Sequence, residues 1–192
     1  FDRRAGVLCE MVVGQRTLLT RPMEYNIWRA PADNDRRIRK EWELAGYDRK
    51  TVKVYDSQSA EQDGFAVLRC HVGIAALFTQ KSLDLVSEWR IDNEGRVKVC
   101  IQAHRDTHLP FLPRFGLRLF LPKAFQGVEY VGYGPYESYQ DKRHACVLGR
   151  FTSTVAGQHV DYLRPQENGS HTGVRFVRLR APQGAVLAAS VL

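Results

Sequence analysis

The chain has 192 residues, 44% of them hydrophobic, with 28 basic and 21 acidic side chains giving a formal net charge of +7. That length supports a sizeable domain with its own core, and no apolar run approaches the roughly 20 residues that a membrane helix needs. The arginines are scattered, and only Asp35-Arg36-Arg37-Ile38-Arg39-Lys40 is locally dense, so the excess charge reads as a solvated basic surface rather than a nucleic-acid tail.

Residue 1 is phenylalanine, not an initiator methionine, and no signal-peptide pattern opens the chain. The expectation is a piece of a longer protein. Cys9, Cys70, Cys100 and Cys146 are widely spaced and form no Cys-x-x-Cys pair. A structural zinc site is not expected. Each cysteine sits among apolar residues and reads as a small buried hydrophobe. The pattern suits a reducing cytoplasm.

In chain order, Arg37 to Ala45, ended by Gly46, is the one fair helix candidate. Thr51 to Tyr55 alternates with period two, and Phe65 to Val72 reads similarly. Leu83 to Ile91 and Arg96 to Ala103 alternate around Asp92-Asn93-Glu94-Gly95, which predicts a β-hairpin. Phe115 to Leu121 and Val174 to Leu179 add two strands. Gly184 to Leu192 reads as a strand that is still apolar where the sequence stops. Many short strands with turn signals between them predict an all-β antiparallel sandwich or barrel. No internal repeat, low-complexity stretch or linker interrupts them.

Two segments are unlike generic strand or loop. One is Trp28-Arg29-Ala30-Pro31-Ala32-Asp33-Asn34-Asp35. The other runs from Gly132-Tyr133-Gly134-Pro135-Tyr136-Glu137-Ser138-Tyr139-Gln140-Asp141-Lys142-Arg143 through Leu148-Gly149-Arg150-Phe151 to Tyr162-Leu163-Arg164-Pro165-Gln166-Glu167-Asn168-Gly169. Gly132 to Pro135 reads as a backbone turn. Tyr133, Tyr136 and Tyr139 offer faces that would stack on a sugar, or would pack the turn against the sheet; the packing reading is preferred. Asp33, Asn34 and Asp35 can accept from sugar hydroxyls or bind a cation through oxygen. Equally, they can bond their own backbone in a turn.

These segments resemble the C-terminal domain of the long bacterial β-galactosidases of glycoside hydrolase family 2. That family carries Arg-Ala-Pro-x-Asp-Asn-Asp, Gly-x-Gly-Pro-x-Glu-x-Tyr-x-Asp and Tyr-x-x-Pro-x-Glu-Asn-Gly runs in this order. Leu112-Pro113-Arg114-Phe115-Gly116-Leu117 is similar to its Pro-Arg-x-Gly-Leu strand. The resemblance covers nearly the whole chain. It implies a single domain over residues 1–192, a large antiparallel sandwich like those of the galactose mutarotases, truncated at its C-terminal end.

A retaining glycosidase needs two carboxyls about 5 Å apart, and Glu137 and Glu167 invite that role. The resemblance implies otherwise. In the family both catalytic glutamates and their metal ligands stand on a preceding TIM barrel, so Glu137 and Glu167 are expected to hold loops together, and no residue here is expected to be catalytic. Mg and Na are expected in that barrel and no cofactor in this piece. Asp33, Asn34, Asp35 and Arg36 are expected at the rim of the substrate pocket, on a loop shorter than the family's. The implied partners are a β-galactoside, the barrel of the same polypeptide and further copies in a homo-oligomer, with neither nucleic acid nor membrane. The alternatives are an aldose 1-epimerase working through a histidine and a carboxylate, for which His71, His104, His108, His144, His159 and His171 are available, and a carbohydrate-binding or structural module.

Overall fold

The computed structural model describes residues 1–182 and 184–191. Its strands pair antiparallel throughout, which is the all-β class that the alternating segments predict. The chain forms two compact units, Phe1–Phe120 and Leu121–Leu192.

In the first unit, β1 (Val12–Val13) and β2 (Arg16–Thr17) make a small ribbon, and β3 (Glu24–Asn26) pairs with β8 (Gly116–Arg118). Between them in sequence lie α1 (Ile38–Leu44) and four long strands: β4 (Lys50–Gln62), β5 (Phe65–Ala76), β6 (Leu83–Ile91) and β7 (Val97–Arg105). These four form one sheet in sequence order. Register places Cys70 opposite Ser87, Val72 opposite Leu85 and Ile74 opposite Leu83. Directly opposed residues share a face, and this one is buried, with Trp89 completing it at 0% exposure. Tyr25 of β3 reaches across to the same face. Its hydroxyl lies 2.9 Å from Ser87 Oγ and 3.1 Å from the Gly6 carbonyl oxygen, so two layers meet there as in a sandwich. Burial pushes the Tyr25 phenol above its ordinary pKa.

The β6–β7 hairpin forms where alternation predicts it, with Ile91 opposite Val97. The Asp92 carboxylate closes the turn, accepting from the Glu94 and Arg96 N–H groups at 3.0 and 2.9 Å and from Arg96 Nε at 2.6 Å. The predicted helix is present as α1, and Gly46 behind it adopts φ +74. A side chain there would run into Ala76.

The second unit is a four-stranded sheet in the order β10 (Val147–Thr154), β9 (Gly127–Gly134), β11 (Phe176–Arg180), β12 (Val186–Ser190). Of the predicted strand Gly184 to Leu192, the last residue lies outside the described residues. Three expectations need correction. Gly132 and Gly134 are not turn residues but strand residues of β9. A Cβ on Gly132 would stand 3.0 Å from Val174, and one on Gly134 would strike the Tyr130 hydroxyl and stand 2.8 Å from the Phe151 ring; close approach requires glycine at both. Phe115 to Leu121 contributes only the short β8. The cysteines are all free, but only Cys70 is buried, while Cys9 and Cys146 are intermediate and Cys100 is exposed on β7.

Candidate functional site

The four marked segments come together in two places, one in each unit. In the first unit the chain leaves β3 at Asn26 and runs through Trp28 and Arg29 into a 3-10 turn at Asp33–Asp35. The Asp35 carboxylate points inward. Its oxygens accept from Arg29 Nη1 at 2.5 Å and Nη2 at 3.0 Å, a two-pronged pair, and one also accepts the Ala32 N–H at 2.6 Å. Both side chains are mostly covered, at 17% and 13% exposure. Arg29 Nε donates to the Pro113 carbonyl at 3.1 Å, which ties this segment to the Leu112–Leu117 segment. Its guanidinium also lies 5.4 Å from the Trp42 ring centroid. Trp42, at 0% exposure, packs edge-on against Trp28 and Phe111 and donates its Nε1–H to the Phe111 carbonyl at 2.8 Å. Planar, permanently charged arginine suits this combined pairing and stacking. Asp33, Asn34 and Arg36 lie at the exposed side of the turn, and the chain enters α1 at Ile38.

In the second unit Glu137 is buried and both its oxygens are used. Oε1 accepts from Lys142 Nζ, and Oε2 accepts the Gly169 N–H at 3.1 Å. Lys142 also donates to the Tyr162 hydroxyl and lies 4.3 Å from that ring's centroid. Ser138, at 0% exposure, completes the clamp. Its N–H donates to the Ser170 carbonyl at 2.9 Å, and its Oγ accepts the Thr172 N–H at 2.7 Å. Asn168 imitates a strand partner: Oδ1 accepts the Val160 N–H at 2.9 Å and Nδ2 donates to the Val160 carbonyl. Glu167 sits in the same loop, with Ser170 Oγ 3.4 Å from its Oε1. Of the three tyrosines, Tyr133 stacks beneath the Arg143 guanidinium at 4.1 Å, and Tyr136 is exposed.

Two further ion clusters are absent from the motif reading. Glu129 of β9 is 5% exposed and paired with Arg150, Arg178 and Arg180. Hydrogen bonding from Arg150 holds its carboxyl below the usual carboxylate range, with the neighbouring guanidinium charges adding to the effect. On β5 and β6, His71 Nε2 lies 2.7 Å from Asp84 Oδ1, and Lys81 Nζ lies 3.1 Å from Asp84 Oδ2. Lys81 and then His71 lower the Asp84 pKa. This is a histidine–carboxylate pair, but it lies on an open sheet face at about two-fifths exposure. Among the described residues no group of three or more His, Cys, Asp or Glu side chains is placed to hold a metal ion, and no helix is long and apolar enough to cross a membrane.

Sequence alone marks Asp35, Glu137 and Glu167 but not the partners that define their settings: Arg29, Trp42, Lys142 and the Gly169 amide. Arg29 lies inside the first motif and Lys142 inside the second. The link from Glu137 to Gly169 spans 32 residues and leaves no local signal.

Fold and site together define an all-β, antiparallel chain of the sandwich class, with Asp35 and Glu137 tied to arginine, lysine and backbone amides. Comparison with known proteins gives this class a family. The family model described as "Beta galactosidase small chain" matches residues 1–192. The chain is 41% identical over 178 residues to the Beta-galactosidase of Actinobacillus pleuropneumoniae, an alignment covering 93% of this chain and 18% of that protein. It is 40% identical over 179 residues to the Beta-galactosidase of Staphylococcus xylosus, with the same 93% and 18% coverage. For the Vibrio cholerae Beta-galactosidase the identity is 30%, covering 94% of this chain and 19% of that protein. The chain belongs to the β-galactosidase small-chain family. It spans about a fifth of the length of these relatives.

Proposed function

We propose that this chain is a non-catalytic part of a β-galactosidase, in which it closes one wall of the sugar pocket and supports assembly. The enzyme as a whole would hydrolyse terminal non-reducing β-D-galactose from β-galactosides such as lactose, with retention of configuration. Acid/base and nucleophile, and any Mg and Na, would stand on a barrel domain of the same polypeptide, working in the cytoplasm.

One observation carries this reading: Asp35 and Glu137, the buried or mostly covered carboxylates of the distinctive motifs, are occupied. A retaining mechanism needs one carboxyl free to give a proton and another with an open face for the anomeric carbon. Asp35 faces Arg29 and the Ala32 N–H. Glu137 faces an ammonium on one oxygen and a backbone N–H on the other. These arrangements hold loops. Asp33, Asn34 and Arg36 lie on the exposed side of the turn, where they would face a pocket rim, on a segment that Arg29 and Asp35 anchor from behind. With only Arg36 and Arg37 between the turn and α1, the rim would be low on this side and admit larger galactosides.

The test compares turnover of a chromogenic β-galactoside by the 192-residue chain and by a polypeptide of the relatives' full length. Activity is expected only in the longer protein. Turnover by the chain alone, abolished by Glu137→Gln or Glu167→Gln, would overturn the proposal.

A further inference from the structure

The Glu129 face of the second unit's sheet carries an unusual charge arrangement. Register puts Arg178 directly opposite Glu129, Arg180 opposite Gly127 and Arg150 opposite Val131. All four charged side chains therefore project from one face. Arg150 Nε lies 2.7 Å from Glu129 Oε1, while Arg180 Nη2 and Arg178 Nη1 lie 2.6 and 3.3 Å from Oε2. The carboxylate is covered by these arginines, yet the Arg150 and Arg180 side chains are themselves 68% and 54% exposed.

Each guanidinium brings five N–H donors and no acceptor, against about four acceptor sites on a single carboxylate. Three cations against one anion leave a formal +2 on the patch. Glu129 thus assembles the arginines without exhausting them, and outward N–H groups remain on Arg150 and Arg180. Apolar side chains stand at both ends of the row. Leu148, two residues before Arg150 on β10, is 49% exposed, and Val186, opposite Arg180 on β12, is 50% exposed. Arginine beside exposed apolar groups is a composition that protein interfaces favour over ordinary surface.

We propose that this face docks a carboxylate-bearing surface of the β-galactosidase polypeptide outside these 192 residues, with an aspartate or glutamate entering between Arg150 and Arg180. The inference rests on the reading of the chain as part of such an enzyme, whose relatives are about five times longer. Charge selects the occupant. A second copy of this chain would meet the patch through a two-fold contact that sets it against itself, bringing two clusters of +2 together with Glu129 already covered in each. A carboxylate between the guanidiniums is favoured instead, because two-pronged arginine–carboxylate pairs combine charge with fixed geometry. Leu148 and Val186 then exclude water around it.

The test uses the full-length enzyme carrying Arg180→Lys, and in a second preparation Arg150→Lys. A water-soluble carbodiimide joins an amine to a carboxylate in contact, forming an amide bond while the reagent takes up the lost water as a urea. Peptide mapping by mass spectrometry locates the link, and mixing isotope-labelled with unlabelled enzyme separates links within a polypeptide from links between copies. The expected result is a link within one polypeptide, in at least one of the two variants, to an aspartate or glutamate outside the 192 residues, with its yield falling as salt is raised. Links confined to Glu129, links only between copies, no link in either variant, or protection of the face by co-purified nucleic acid would each overturn the docking assignment. β-Galactoside turnover is measured on the same preparations. Absence of turnover in the unsubstituted full-length enzyme refutes the parent reading, whereas turnover without the expected link refutes the docking face alone.

Discussion

Replacing Glu137 by glutamine tests whether this carboxylate is a structural acceptor, because the shape is kept and only the hydrogen-bonding character changes. The carboxylate accepts at both oxygens, from Lys142 and from the Gly169 N–H. An amide has one acceptor oxygen and one donor nitrogen. Either orientation therefore sets an NH2 against an ammonium or against a backbone N–H. Gly169 cannot readily turn away. It holds φ +70, and a Cβ built there would stand 2.7 Å from the Gln158 carbonyl oxygen, so that stretch of backbone is already in close contact. Leaving a buried donor unsatisfied costs about 1–3 kcal/mol. The Lys142 side chain is 38% exposed, so its share is closer to the surface value of roughly 0–1 kcal/mol. A loss of about 2 kcal/mol follows, and in a protein of this size each kcal/mol moves Tm by roughly 2–4 °C. The expected shift is about 4–8 °C downward by calorimetry. Amide exchange at Gly169 should accelerate in parallel, since its acceptor is lost. A variant that melts within about 1 °C of the parent chain, with Gly169 still protected, would refute the reasoning.

Four other outcomes are expected. Asp35→Ala removes the two-pronged partner of the mostly covered Arg29 and should cost about 2–4 kcal/mol in denaturant titrations, whereas Asn34→Ala in the full-length enzyme should lower kcat/KM with little change in melting. Gly169→Ala should lower Tm by itself, because a side chain is strained at φ +70 and strikes the 158 carbonyl; an unchanged Tm would show that the loop relaxes freely. Arg150 and Arg96 hold the Glu129 and Asp92 carboxyls below their ordinary pKa, so the unfolded chain binds more protons than the folded chain. Their stabilisation is complete above the ordinary carboxylate range near pH 4 and is lost as pH falls through that range toward the folded values. Denaturant midpoints measured from neutral pH downward should decline, and Glu129→Gln should flatten the decline; an unaltered slope in that variant counts against the assignment.

The β6–β7 hairpin was legible because two local signals agree. Leu83, Leu85 and Trp89 alternate onto the buried face, and Asp92 supplies a side chain that closes its own turn. The strands β9 and β10 were not legible, for a physical reason. Glycine at 132 and 134 carries a turn signal in sequence, but in the sheet it serves to admit Tyr130, Phe151 and Val174. Nothing local distinguishes a glycine chosen for φ freedom from one chosen for lack of a side chain. Cys100 was misplaced similarly: it lies among apolar neighbours in sequence but on the alternate, exposed side of β7. The site shows the same division. The motif carboxylates stand out in sequence, while the Arg29–Pro113 and Glu137–Gly169 bonds cross 84 and 32 residues and exist only once the chain is folded.

That division bears on how the Asp33–Arg36 segment should be understood. A motif dense in hydrogen-bonding groups invites the assumption that every member faces the same ligand. The turn separates them instead. Asp35 is spent on Arg29 and the Ala32 N–H, and Arg29 is in turn fixed to Pro113 and set beside Trp42. Asp33, Asn34 and Arg36 are left on the exposed side. A rim residue contributes to recognition only if it is held where the substrate will be, since ordering a mobile loop on binding subtracts from affinity. The inward carboxylate is therefore as necessary to a rim as the outward groups, and its removal should weaken substrate positioning through displacement of Asn34 rather than through a lost contact of its own. The kinetic signature differs accordingly. Asp35→Ala should lower stability and kcat/KM together, and Asp35→Glu, which restores the charge but not the reach, should recover only part of each. An Asp35→Ala enzyme that is destabilised yet turns over normally while folded would show that the segment is scaffold alone.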